Sequence, residues 1–117
     1  MSSALSKHVS SLAILLLGAS LTLPARAADK PQTFTGKVSD AMCGVNHMMV
    51  GEASECVRAC IRKGSKYALV VGDKVYALDT SDKAALAELD KLADQRATVT
   101  GQASGETIAV SSVAAAK

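Results

Sequence analysis

The chain has 117 residues and a formal net charge of +2, with 13 basic and 11 acidic side chains, three cysteines and two histidines. This near-neutral balance gives little attraction to a phosphate backbone, and two tyrosines and one phenylalanine offer few rings for base stacking. The composition therefore argues against nucleic acid as a partner, and the length predicts one domain with a modest core.

The first 27 residues have the pattern of a secretory signal peptide. Lys7 precedes an apolar run from Leu12 to Leu23, which is followed by Ala25-Arg26-Ala27, a small-x-small cleavage site. The run is shorter than the roughly 20 apolar residues that a membrane-spanning helix needs. We therefore expect cleavage after Ala27, a periplasmic or secreted location, and no stable membrane anchor after cleavage. Residues 28–117 are the expected mature domain.

Five strands and two helices are predicted along this domain. The strands are indicated by alternating or β-branched runs, and the helices by helical spacing of apolar residues with capping residues at their ends. In chain order the predicted elements are strand Phe34–Ser39, helix Glu52–Lys63, strands Lys66–Val71 and Lys74–Leu78, helix Lys83–Ala93, and strands Ala97–Gln102 and Thr107–Val113. The pair Gly72-Asp73 suits a type II′ hairpin turn between the second and third strands.

This order of elements predicts a mainly β fold. Five strands with a helix between strands 3 and 4 is the order of the OB-fold, a partly open five-stranded β-barrel. Residues 40–64, the cysteine-containing helical insertion, replace the loop between strands 1 and 2. That loop borders the usual binding face of an OB-fold, so we expect the functional residues there. The alternative is another small α+β sheet.

The insertion carries four candidate metal ligands in a C-x3-H-x8-C-x3-C pattern. Cys56 and Cys60 are four residues apart on a predicted helix, which places both thiols on one face. Cys43 and His47 have the same spacing and share a face if a helical turn follows strand 1. Cys3His is a recognised tetrahedral ligand set for Zn²⁺, and a closed set of four protein ligands is typical of a structural site.

Other interpretations of the three cysteines stay open. In an exported protein Cys43 can form a disulfide with Cys56 or Cys60, which leaves one free thiol. A reactive redox cysteine is a third interpretation. The methionines of the segment add a fourth, because thioether, thiolate and imidazole together suit Cu⁺. Against copper, methionines in such positions are more often core filler than ligands; these are Met42, Met48 and Met49.

No enzyme motif is found. The spacing C-x3-C differs from the C-x-x-C of thioredoxin-type oxidoreductases, and nothing marks a nucleophile beside His47, the one histidine after the signal peptide. The sequence therefore predicts a non-enzymatic exported domain that binds Zn²⁺ or Cu⁺, while a thiol redox role is not excluded. The alternative function is a disulfide-stapled module that binds a small ligand or another envelope protein.

The mature sequence also resembles a group of small exported bacterial proteins of unknown function. The resemblance covers nearly the whole mature domain and implies an OB-like barrel, but it brings no activity that can be assigned to these positions. It is carried by Thr35–Gly44, His47, Cys56–Cys60, Gly64–Val70, Gly72–Tyr76 and Val99–Gly101.

Overall fold

A computed structural model describes residues 30–46 and 51–117 of the protein. In chain order its elements are β1 (Gln32–Asp40), α1 (Ala53–Arg62), β2 (Tyr67–Val71), β3 (Lys74–Asp79), α2 (Lys83–Lys91), β4 (Arg96–Ser104) and β5 (Thr107–Ala115). The predicted mainly β fold with five strands is confirmed. The predicted signal peptide and the predicted ligand His47 lie outside the described residues. Neither α1 nor α2 is long and apolar enough to cross a membrane.

The five strands form one sheet that closes on itself in the order β1-β2-β3-β5-β4. The first strand is shared between two partners: residues 32–37 pair with β4, and residues 37–40 pair with β2, both antiparallel. The ring closes through a short parallel pairing of β3 with β5. A Cβ atom on Gly36 would overlap the carbonyl of Val70, and one on Gly101 would overlap the carbonyl of Ala109. Glycine is therefore required at both positions.

The hydrophobic core takes side chains from the strands and from both helices. Leu69 and Val99 come from the sheet, Leu89 comes from α2 and Val57 comes from α1, and all four are fully buried. The alternation predicted for the last two strands holds, since Ile108 is also fully buried. Because Val57 anchors α1 against this core, the cysteines on either side of it are fixed relative to the end of β1.

Candidate metal centre

The turn that follows β1 places Cys43. The carboxylate oxygen Oδ1 of Asp40 accepts hydrogen bonds from the backbone N–H groups of Met42 (3.1 Å) and Cys43 (2.9 Å). The N–H of Gly44 donates to the carbonyl of Asp40 (2.9 Å), and the Ser39 hydroxyl donates to the carbonyl of Gly44 (2.6 Å). A side-chain cap of this kind is the usual role of aspartate at the start of a turn. It holds Cys43 at the end of the sheet.

The helix α1 places the other two cysteines. Cys56 and Cys60 lie one turn apart and are both buried. The guanidinium of Arg58 lies on another side of the helix and binds Asp90, through Nε to the carboxylate (3.4 Å) and through Nη2 to the backbone carbonyl (2.9 Å). The hydroxyl of Tyr67 also donates to that carboxylate, at 3.4 Å. These contacts fix α1 against α2 and β2, with the cysteine face turned toward the end of β1.

The structure brings the three thiols together. The Sγ atoms of Cys43, Cys56 and Cys60 all lie within 4.8 Å of one another, and those of Cys43 and Cys60 are 3.8 Å apart. Four sulfur ligands around tetrahedral Zn²⁺, with Zn–S bonds of about 2.3 Å, are separated by about 3.8 Å. The spacing of the thiols therefore fits a shared metal ion.

The disulfide interpretation is not supported by this geometry. All three cysteines are free thiols. A disulfide bond joins its sulfur atoms at about 2.05 Å, far below the 3.8 Å between the Sγ atoms of Cys43 and Cys60.

The three thiols differ in exposure. Cys43 is half-buried, whereas Cys56 and Cys60 are 4% and 6% exposed. The pKa of the Cys60 thiol is raised to about 12, most of all by burial, and also by hydrogen bonds with Cys43 and Asp40 and by the charges of these two groups. A thiol with so high a pKa is a poor nucleophile, which weighs against Cys60 as a reactive redox cysteine. A metal ion must displace its proton, so metal binding and proton release are coupled.

Asp40 is the residue of this site that the sequence did not single out. Its side chain is fully buried at the end of β1, and its charge acts on the Cys60 thiol. Oδ1 is used by the turn, and Oδ2 has no nitrogen or oxygen donor among the described residues, although the Cys60 thiol hydrogen-bonds to this carboxylate. The spacing Asp40-x-x-Cys43 is the one available signal, because aspartate at this distance caps a turn. A buried carboxylate that forms no ion pair among the described residues and interacts with the Cys60 thiol is consistent with a place for a cation.

Of the remaining candidate ligands, the structure describes only Met42. His47, Met48 and Met49 lie outside the described residues. Met42 is 67% exposed, so its interpretation as core filler is wrong. Val45, in the same turn, is also exposed, at 53%. The surface next to Cys43 is thus apolar and open to solvent.

Comparison with known proteins adds no family. No family model, curated protein or solved structure matches this chain. The argument about function therefore rests on the geometry of the site.

Proposed function

We propose that the protein is an exported, non-enzymatic domain that binds one metal ion, most simply Zn²⁺, through Cys43, Cys56 and Cys60. His47 is the proposed fourth ligand. One observation carries the proposal: a turn and a helix that are separate in sequence bring three Sγ atoms within 4.8 Å of one another. In this proposal the metal joins the turn after β1 to α1 and stabilises the insertion between β1 and β2.

The chemistry of the donors supports this choice of metal. Thiolate sulfur and imidazole nitrogen are the preferred ligands of structural Zn²⁺, and three cysteines with one histidine make a closed tetrahedral set. Three thiolates without the histidine suit Cu⁺, which is the second candidate metal. A conventional catalytic role is not part of the proposal, because a closed set of four protein ligands has no open position for substrate.

The wider setting of the domain is also a proposal. The pattern of residues 1–27 supports export to the periplasm or the medium, and the order of strands and helices supports an OB-like barrel. The cysteine insertion then occupies the loop that borders the binding face of such barrels. An envelope protein or a small ligand is the proposed partner of that face.

Metal and thiol content measured on one sample tests the proposed function. We expect protein purified from the exported fraction without chelators to contain about one Zn²⁺ or Cu⁺ per chain, with three thiols recovered after denaturation with chelator. Cys43→Ser should lower metal affinity at least tenfold, because it removes a ligand. His47→Ala should also lower it, whereas Ser104→Ala, at the far end of β4, should not.

Two results would contradict parts of this proposal. Metal-free protein with a single free thiol would exclude the metal site and favour the alternative function, a disulfide-stapled binding module. Full metal content in His47→Ala, with unchanged affinity, would remove His47 from the ligand set and leave the three cysteines in it.

A further inference from the structure

The Asp40 carboxylate connects the two halves of the thiol site. Through Oδ1 it accepts the N–H groups of Met42 and Cys43, which sets the turn that carries one thiol. Its charge also acts on the thiol of Cys60, which belongs to α1. The carboxylate is fully buried, so water does not screen it as it screens a surface acid.

Among residues 30–46 and 51–117, no basic side chain forms an ion pair with this carboxylate. The ion pairs among residues 30–46 and 51–117 join Lys37 to Asp94, Arg58 to Glu55 and Asp90, Lys66 to Asp79, and Lys91 to Glu88. Asp40 takes part in none of them, and in the same part of the chain its Oδ2 has no nitrogen or oxygen donor, while the Cys60 thiol interacts with the carboxylate. Burying a carboxylate without a cation is costly, so its burial next to the thiol site favours a cationic neighbour.

We propose that Asp40 is a positioning residue of the metal site, which sets Cys43 through Oδ1 and supplies through Oδ2 a buried charge that favours a divalent cation. The inference rests on the proposed function and specifies its metal as Zn²⁺. It does not require a bond between Asp40 and the ion, since the atoms that lie mutually within 4.8 Å are the three sulfurs alone.

The charge of the ion is what makes the inference testable. At a fixed distance, the attraction between a carboxylate and a cation doubles when the cation changes from +1 to +2. Either ion displaces the same thiol protons, so this cost is common to both, and removing the carboxylate charge should lower the ratio of the Zn²⁺ affinity to the Cu⁺ affinity. A loss of fold or of turn geometry would instead weaken both metals together.

Asp40→Asn in the full chain is the informative variant. The asparagine side chain keeps an oxygen that can accept the Met42 and Cys43 N–H groups, but it carries no charge. We expect the ratio of the Zn²⁺ affinity to the Cu⁺ affinity to fall about 3- to 10-fold. Both affinities are measured anaerobically against competing chelators. Asp73→Asn, which removes one charge from the exposed β2–β3 turn, is the matched control and should change neither affinity.

An unchanged ratio of the Zn²⁺ affinity to the Cu⁺ affinity in Asp40→Asn would overturn the role of Asp40 while leaving the proposed metal site intact. Wild-type protein that binds neither ion would instead overturn the proposed function, and this inference with it.

A second measurement on the wild-type protein covers the case in which Asp40→Asn does not fold. With ¹³Cγ-labelled aspartate, addition of Zn²⁺ should shift the resonance of one buried carboxyl carbon. Stoichiometric Zn²⁺ binding with no shifted aspartate resonance would overturn the inference.

Discussion

The closed sheet and the cysteine segment (residues 41–64) are held together by different kinds of contact. In the sheet every strand pairs with two neighbours, and the core inside it includes several fully buried side chains. The described part of the cysteine segment is held mainly by the Asp40 cap, by Val57 in the core and by the Arg58–Asp90 contacts. We therefore expect the sheet to supply most of the stability of the domain, and the segment to gain most from the proposed metal ion.

The largest expected loss of stability comes from a substitution in the core of the sheet. Leu69→Ala removes a fully buried side chain from β2 and should lower the free energy of unfolding by about 2–5 kcal/mol. This loss is measured by urea denaturation that is monitored by circular dichroism. The half-buried Val71, at the end of the same strand, is the control, and Val71→Ala should cost less. A loss below 1 kcal/mol for Leu69→Ala would show that the core is not organised around β2.

A smaller loss of stability is expected from a substitution where the cysteine segment meets the rest of the domain. Arg58→Ala removes the contacts of α1 with Asp90 and should lower stability by about 1 kcal/mol, since the guanidinium is 27% exposed. Amide hydrogen exchange should speed up in α1 and stay unchanged in β1 and β4. Lys91→Ala, at an exposed helix pair, is the control. Faster exchange throughout the sheet would contradict the separation of the two regions.

The smallest loss of stability is expected from an exposed ion pair on the sheet. Lys66 and Asp79 lie 3.8 Å apart, and both side chains are 63% exposed. Water and salt screen such a pair, so Lys66→Ala should change the free energy of unfolding by less than about 0.5 kcal/mol. Thermal denaturation at low and high salt measures this. A loss above 1 kcal/mol would mean that this exposed pair is coupled to the core.

Much of the sheet could be predicted because its pattern is local. The alternation around Val99 and Ile108 indicates which side chains face inward, and both are fully buried. The β2–β3 turn was also predictable, since Gly72 has the positive φ (64°) that a type II′ turn needs at its first position. The extension of β5 to Ala115 was not. Ala114 and Ala115 pair with Thr98 and Ala97, and alanines at a strand end carry no alternating pattern of their own.

The site was predictable only in part, for a similar reason. Spacing alone placed Cys56 and Cys60 on one helix face, whereas the convergence of Cys43 with them was a hypothesis that spacing did not settle. Spacing gave no sign that Asp40 would be buried, because its burial depends on α1 closing over the end of β1. The sequence has 11 acidic residues, and no pattern in it indicates that Asp40 is buried. The carboxylate becomes notable only when it is found buried next to the Cys60 thiol.

The two regions also differ in how far apart in sequence their contacting residues are. Cys43 and Cys60 are 17 residues apart in sequence, whereas Thr35 and Thr98, which meet where β1 joins β4, are 63 residues apart. Short loops close at lower entropic cost, and folding slows as contacts become more distant in sequence. We therefore expect the cysteines to meet early in folding and the pairing of β1 with β4 to form late. The proposed metal ion could then bind before the pairing of the strands is complete.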